Sequence, residues 1–338
     1  MVRIIRLLLF QVNARRNFMN TLSPELTSLA QKHPCRYSAD SKASFVLDAK
    51  RLLRSAGYSE KQLVEQRLGG IFNTRNLIIG NPKARYMITA HYDTPGRNGF
   101  LLGTSRFIGQ TGANIIMLLL AIPFIIGEMM LVTKALEQPD AGFFSVAGAI
   151  LALPALLIAL MLVPMLIPNR HNFNDNTSGA LCVLQCAMNA VNDPELLEKC
   201  CFVLFDNEEW GLIGSLGFAA DRRKKGIDDK DVFVINLDCV GVGDVIASVT
   251  TGKPSARCIA LKESLGVLDM DTESKRSQLV FMSDHAAFPD AVMLSVMSRS
   301  KLGPLYIPNI HSSKDTLCDN ALVASLAEHI TGFVRSAE

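Results

Sequence analysis

From Ser178 to Leu237 the hydrophobic pattern switches repeatedly between helix and strand. A helix is expected over Ser178–Val191, a strand over Lys199–Phe205, a helix over Leu212–Lys225 and a strand over Val232–Leu237. The helical segments space apolar residues three and four apart, whereas the strands are short continuous apolar runs. Strand then helix, repeated, is the pattern of a sheet with helices on its faces. Upstream, Ser41–Ala56 puts Phe45, Val46, Ala49, Leu52 and Leu53 on one helical face and stops at Gly57. Strands are expected over Gln62–Arg67, Thr74–Ile79 and Arg85–His91, and a closing amphipathic helix over Ala321–Val334. The fold class that follows is α/β, and 338 residues suffice for one large domain or two ordinary ones.

Two apolar runs interrupt this pattern. Neither Phe107–Gly127 nor Phe143–Pro168 contains a charged residue, and together they raise the mean hydropathy of the chain to +0.23. A membrane-spanning helix needs about 20 mainly apolar residues, and both runs reach that length. The connector, Glu128–Ala141, carries Glu128, Lys134, Glu137 and Asp140, while Arg97, Arg106 and Arg170 lie outside the runs. Arginine on the flanks favours flanks in the cytoplasm. The expectation is a transmembrane hairpin in the cell membrane, with the lipid bilayer as a partner and the catalytic domain on the cytoplasmic side. The chain then divides into a basic extension (1–20), a first part of the catalytic domain (21–106), the hairpin insertion (107–168) and a second part (169–338).

Lys+Arg 34 against Asp+Glu 32 leaves a net charge of +2, too balanced to predict a nucleic-acid partner. The eight cysteines form no CxxC pair, which argues against a thiolate zinc site and suits a reducing compartment. Oligomeric state leaves no trace in the sequence.

The chemistry-bearing residues sit at strand ends and in polar loops. His91-Tyr92-Asp93 closes a strand, and side-chain alternation puts residues 91 and 93 on one side, so that Asp93 is able to orient the imidazole. Asn174-Asp175-Asn176-Thr177-Ser178-Gly179 precedes a helix; capping explains Thr177 or Ser178 but leaves Asp175 over. Glu208-Glu209 follows an apolar strand, where neighbouring carboxylates repel unless a cation or proton lies between them. Asp238 ends another buried strand and needs a strong partner. Ser283-Asp284-His285 and the loop from Ile310 to Thr316, with His311, complete the set. Singly, each has an ordinary structural explanation. Jointly, histidine and carboxylate without cysteine suit zinc, and the carboxylates outnumber what one tetrahedral ion needs. Two ions sharing a bridge satisfy the count.

In this order these motifs resemble the co-catalytic zinc exopeptidases, metallopeptidase family twenty-eight, which includes aminopeptidases and glutamate carboxypeptidases. The resemblance runs from about residue 75 to the end and implies a three-layer fold with a mixed central sheet, here with the insertion. It implies that His91 and Asp238 bind one zinc, Glu209 and His311 the other, and Asp175 both, with Co2+ or Mn2+ as substitutes. Glu208 is then the general base and Asp93 the residue that orients His91; Asp284 and His285 look like substrate-pocket wall. The implied activity is aminopeptidase-type hydrolysis of a peptide substrate. One departure stands out: 82 positions separate Asp93 from Asp175, where the family keeps them close. Two other readings compete: a single-zinc relative of the glutaminyl-cyclase kind, which does not normally keep the first histidine, and an inactive membrane scaffold, which would be expected to lose ligands.

Overall fold

The structure is a computed structural model and describes residues 21–70, 72–97, 105–137, 166–268, 270–276 and 281–337, with Gly148 and Val163. The expected basic extension, residues 1–20, lies outside the described residues.

Two helices lead in, α1 (Pro24–Lys32) and α2 (Ala39–Ala56), with Ser23 and Ser38 accepting first-turn N–H groups as N-caps. The hairpin β1 (Leu63–Leu68) and β2 (Thr74–Gly80) follows, then β3 (Tyr86–His91) and α3 (Ser105–Leu136). The second part runs α4 (Gly179–Ala190), α5 (Pro194–Lys199), β4 (Cys200–Phe205), α6 (Ile213–Lys224), β5 (Phe233–Leu237), β6 (Val245–Thr250) and α7 (Ala256–Leu265). It ends with β7 (Asp271–Arg276), β8 (Ala291–Arg299), β9 (Leu305–Tyr306) and α8 (Asn320–Ser336).

Strands from before and after the two apolar runs join one mixed sheet, in the order β1-β2-β4-β3-β5-β8-β6-β7, with β9 on β8. The centre is parallel, β4, β3, β5 and β8 running together, whereas β2 and β6 run against their neighbours in it. Alternation sends successive side chains to opposite faces. Phe202 and Leu204 of β4 join the larger core under α1, α2, α4, α7 and α8, while Cys201, Val203 and Phe205 join the smaller core against α6. A sheet covered on both faces explains why its central strands read as unbroken apolar runs. The result is three layers.

The membrane expectation is corrected here. Among the described residues, no helix is long and apolar enough to cross a membrane. The first charge-free run is not a helix of its own. It lies within α3, which starts on protein: Lys301 N–H donates to Arg106 O at 3.1 Å and Leu302 N–H to Phe107 O at 3.0 Å. The helix breaks at Gly109 (φ 77°), holds Pro123 inside, and continues through Glu128 and Lys134, where a connector was expected. The expected multi-pass location with a cytoplasmic catalytic domain falls with the spans. The second run, 143–168, lies mostly outside the described residues.

The residues that flank the two apolar runs stand side by side. Gly96 and Pro168 form an antiparallel bridge, Arg97 N–H donates to Ile167 O at 2.8 Å, and Asn169 N–H to Pro95 O at 3.1 Å. Residues 95–97 and 167–169 are therefore neighbours in space although about 70 positions separate them in sequence.

Candidate metal centre

Parallel strands end on the same edge of a sheet, and loops at that edge are where open α/β folds build sites. His91 is the last residue of β3 and stands in register with Phe205, the last of β4. The chain after β4 carries Glu208 and Glu209, and the residue after β5 is Asp238. Left-handed backbone turns these exits sharply: Asn207 (φ 58°) precedes Glu208, Cys239 (φ 56°) follows Asp238, and His311 itself has φ 54°. Non-glycine residues pay for that conformation, and such strain concentrates at functional sites.

The five expected ligand residues and Glu208 converge. His91 Nε2 lies 3.5 Å from Asp175 Oδ1, 3.8 Å from Asp238 Oδ1 and 4.0 Å from Glu208 Oε2. His311 Nε2 lies 3.0 Å from Asp175 Oδ2 and 3.3 Å from Glu209 Oε2. Two overlapping groups, His91–Asp175–Asp238 and Asp175–Glu209–His311, therefore offer metal-ligating atoms within 4.8 Å of one another, and Asp175 belongs to both. A third, His91–Glu208–Glu209, adds the paired glutamates.

The electrostatics are those of crowded buried carboxylates. Burial raises Glu208 well above the ordinary carboxylate range against the pull of His91, and Glu209, Asp284 and Asp238 push the same way. Burial also raises Glu209, which His311 opposes. For His91, burial acts downward but is outweighed by the Glu208 charge and by bonding to Asp238 and Asp93, so the imidazole is held well above its usual value. His311 is raised likewise by Glu209 and Asp175 against burial. Asp238 is held down at about 2, burial being outweighed by His91 and Ser283. Glu209 Oε1 is buried without a hydrogen-bond partner, and Asp175 Oδ2 faces His311 without an aligned bond. Unpaired buried carboxylate oxygens beside two imidazoles fit a divalent cation, and the all-N/O donor set fits zinc.

Asp93 does two things. Its Oδ1 stands 3.5 Å from His91 Nδ1, and its two oxygens accept the Glu208 N–H at 3.1 Å and the Glu209 N–H at 3.3 Å. It thus ties the β3 exit to the β4 exit. Asp284 and His285, the residues expected in the substrate-pocket wall, are fully buried in a short turn. Neither Asp284 oxygen has a hydrogen-bond partner within ordinary reach, and burial pushes its carboxyl up to about 7; burial pulls His285 down to about 4.

Several supporting residues escape sequence reasoning. Asp315 accepts the N–H groups of Asn174 (2.8 Å) and Asp175 (2.9 Å), fixing the backbone that presents the shared carboxylate. Asn176, not Thr177 or Ser178, accepts the first N–H of α4, and also that of Cys239. Ser178 instead accepts from Val240 N–H, so the polar loop is a set of ties to the β5 exit. Arg36 is entirely buried; its guanidinium donates to Tyr92 O, to His33 O at 2.6 Å and to Thr177 Oγ1 at 3.0 Å, joining α1, the β3 exit and the Asp175 loop.

With this geometry in place, comparison with known proteins has a definite outcome. Residues 168–334 match Peptidase family M28. The matched stretch covers a little under half the chain; it includes Asp175, Glu208, Glu209, Asp238 and His311 and begins after His91 and Asp93. No curated protein matches the chain by sequence. Among solved structures, the LapA aminopeptidase of Legionella pneumophila aligns at TM-score 0.58 and 14% identity, over 96% of this chain and 72% of that one. Glutaminyl cyclase of Porphyromonas gingivalis aligns at TM-score 0.61 and 15% identity, over 93% of this chain and 99% of that one. A glutaminyl cyclase of an Acidobacteriales bacterium aligns at TM-score 0.54 and 13% identity, over 92% and 91%. At such identities the likeness is one of fold, and it extends across β1–β3 as well as the stretch matched by the family.

Proposed function

We propose that this chain is a metal-dependent exopeptidase of aminopeptidase type, acting on peptides at their amino end. The single observation behind the reading is Asp175, whose Oδ1 faces His91 at 3.5 Å and whose Oδ2 faces His311 at 3.0 Å. One buried carboxylate reaching into both ligand groups is what a shared bridge requires. His91 and Asp238 would hold one zinc ion, Glu209 and His311 a second, and Asp175 both; Co2+ or Mn2+ would satisfy the same donors. Bound in such a pair, the ions supply an acidified water and polarise the scissile carbonyl.

The remaining work belongs to the chain. Glu208 accepts the proton of the attacking water and returns it to the departing amine, a role that needs a carboxylate with a raised pKa inside the site. Its burial among Glu209, Asp284 and Asp238 gives it that character. Asp93, by accepting both glutamate N–H groups, aims Glu208 and Glu209 while holding His91.

The test is metal analysis of the purified protein together with Glu208→Gln. The expected result is close to two zinc per chain, and a variant that keeps its metal while turnover of aminoacyl reporters falls by about 10²–10⁴. One zinc or none removes the two-metal reading, and full activity in the variant removes Glu208 as the base. A second reading draws on the glutaminyl cyclase of Porphyromonas gingivalis, nearly all of whose chain aligns here. It predicts one zinc and cyclisation of amino-terminal glutamine, with release of ammonia.

A further inference from the structure

Helix α2 turns one face to the core, and that face carries two lysines. Its buried positions are Lys42, Phe45, Val46, Ala49, Lys50 and Leu53, the three-and-four spacing of a single helical stripe. Lysine is almost never enclosed unless it is paired. Lys50 meets Glu60 and Glu65, each at 3.2 Å, at the start of the β1–β2 hairpin. Lys42 instead reaches the exit of β4, the loop that carries Glu208 and Glu209.

Its Nζ stands 2.7 Å from Asp206 Oδ1 and donates to Asn207 Oδ1 at 2.6 Å. Both partners are buried, and both are held from the other side as well. Asp206 accepts the Arg75 N–H at 2.9 Å, and its own N–H donates to Asn76 Oδ1 at 3.0 Å. Asn207 donates through Nδ2 to Thr74 Oγ1 at 2.7 Å and to Phe72 O at 3.3 Å. Of the three side-chain bonds on Asn207, the one from Lys42 has a charged donor, which is the stronger kind.

Asn207 is left-handed, with φ 58°, and the next residue is Glu208. A non-glycine residue stays in that conformation only where its surroundings over-determine it. On its far side Glu208 is equally fixed: its N–H donates to Asp93 Oδ1 at 3.1 Å, and its carbonyl accepts from Gly211 and Leu212 at 2.9 and 2.8 Å. The direction in which the Glu208 side chain leaves the backbone is thus decided by Asn207 before it and Asp93 beside it. That direction brings Oε2 to 4.0 Å from His91 Nε2.

We infer that Lys42, acting through Asn207, is a positioning residue for Glu208: it holds the left-handed turn that aims the proposed base at the metal-ligating groups. The inference rests on the aminopeptidase reading and deepens it, with a residue that lies outside the stretch matched by the family. Misplacing a reacting group by about 1 Å costs up to about 10² in rate. Such a shift leaves the contacts to bound substrate in place, so the loss falls on kcat and not on KM.

Wild type, Lys42→Met and Lys50→Met are compared at saturating zinc with a leucyl reporter. Lys42→Met should lower kcat by about 10–10², with KM and zinc content unchanged. Lys50→Met removes a comparably buried lysine from the same helix face and should keep kcat, although its urea midpoint falls. The sole tryptophan, Trp210, lies two residues beyond Glu208 and reports on the loop without turnover. In chelator, its emission should shift in Lys42→Met and not in Lys50→Met. If Lys42→Met does not fold, Asn207→Gly carries the test: glycine accepts the left-handed backbone while the acceptor for Lys42 is gone, and the same fall in kcat is expected. A kcat within about twofold of wild type, an unchanged emission, an equal loss in Lys50→Met, or a loss that follows lost zinc would overturn the inference and leave the aminopeptidase intact. Wild-type protein that carries two zinc ions and hydrolyses no aminoacyl reporter would sink both.

Discussion

Arg36 offers the sharpest test of how the site is held. Arginine is among the residues least often buried, yet this one is fully enclosed, with its guanidinium 5.1 Å from the centre of the Phe45 ring. Burial pulls its pKa down to about 10 against the charges of Asp93 and Asp175, so it stays protonated at neutral pH. Replacing it with methionine keeps most of the volume and removes the donors to Tyr92 O, His33 O and Thr177 Oγ1. Hydrogen bonds from a charged donor contribute about 1.5–3 kcal/mol each. Relief from burying the guanidinium returns several kcal/mol of that. A net loss of about 3 kcal/mol is expected for Arg36→Met, read as a fall in the urea midpoint at constant slope in the presence of chelator. Arg36→Lys restores the charge but not the fork that spans three acceptors, and recovers less than half of the loss. A loss below about 1 kcal/mol for the methionine variant would refute the argument, because it would mean the three acceptors find other donors.

Other predictions concern the same edge and the helical layer. Gly179→Ala and Gly214→Ala should each destabilise by about 1–3 kcal/mol or more, since a Cβ would meet Leu237 O at 2.3 Å and Asp206 O at 2.2 Å; thermal unfolding reads the loss. Asp315→Ala frees the Asn174 and Asp175 N–H groups, and zinc affinity measured by chelator competition should fall about 10–100-fold. Asp48 is held at about 2 by hydrogen bonds from Lys32 and His33, whereas an unfolded aspartate titrates near about 3.9. A carboxyl with a depressed folded pKa stabilises above its unfolded value and loses that contribution as pH falls. The stability gap between wild type and Asp48→Asn should be constant above about pH 5 and close as pH falls towards 2; a gap that persists at pH 2 would exclude charge as its source.

What the sequence discloses follows from which physical signals are local. The β3 and α6 segments were expected at Arg85–His91 and Leu212–Lys225 and stand at Tyr86–His91 and Ile213–Lys224. A strand buried on both faces and a helix ended by basic residues both write their limits into neighbouring positions. The convergence of His91, Glu208, Glu209 and Asp238 was legible for a related reason: carboxylates and histidines that follow parallel strands are delivered to one edge; Asp175 and His311 end no such strand. The residues that hold them were not. Asp315 acts on an N–H 140 positions away, and Arg36 lies in a stretch without periodicity, where nothing signals that it will be enclosed. The charge-free run from Phe107 misled for the opposite reason. Absence of charge is local, but whether a helix presents a long apolar span depends on where it starts and breaks, and α3 starts against the Lys301–Leu302 turn and breaks at Gly109.

The long gap between Asp93 and Asp175 has its explanation in the same distinction between sequence distance and spatial distance. Candidate ligand residues on either side of a long segment come together only if that segment begins and ends at neighbouring points. The Gly96–Pro168 bridge, with its flanking bonds from Arg97 and Asn169, provides those points one strand spacing apart. From there Asn169 Nδ2 donates to Ser312 O at 3.0 Å and Asn172 Nδ2 to Pro34 O at 3.1 Å, so the returning chain is fixed to the His311 loop and to the approach of Arg36 before it reaches Asp175. The position of Asp175 is therefore set by what lies after Pro168 and by Asp315, and not by the number of residues inserted before it. Loop length enters only as a closure entropy that grows logarithmically with the number of residues between the bridged ends.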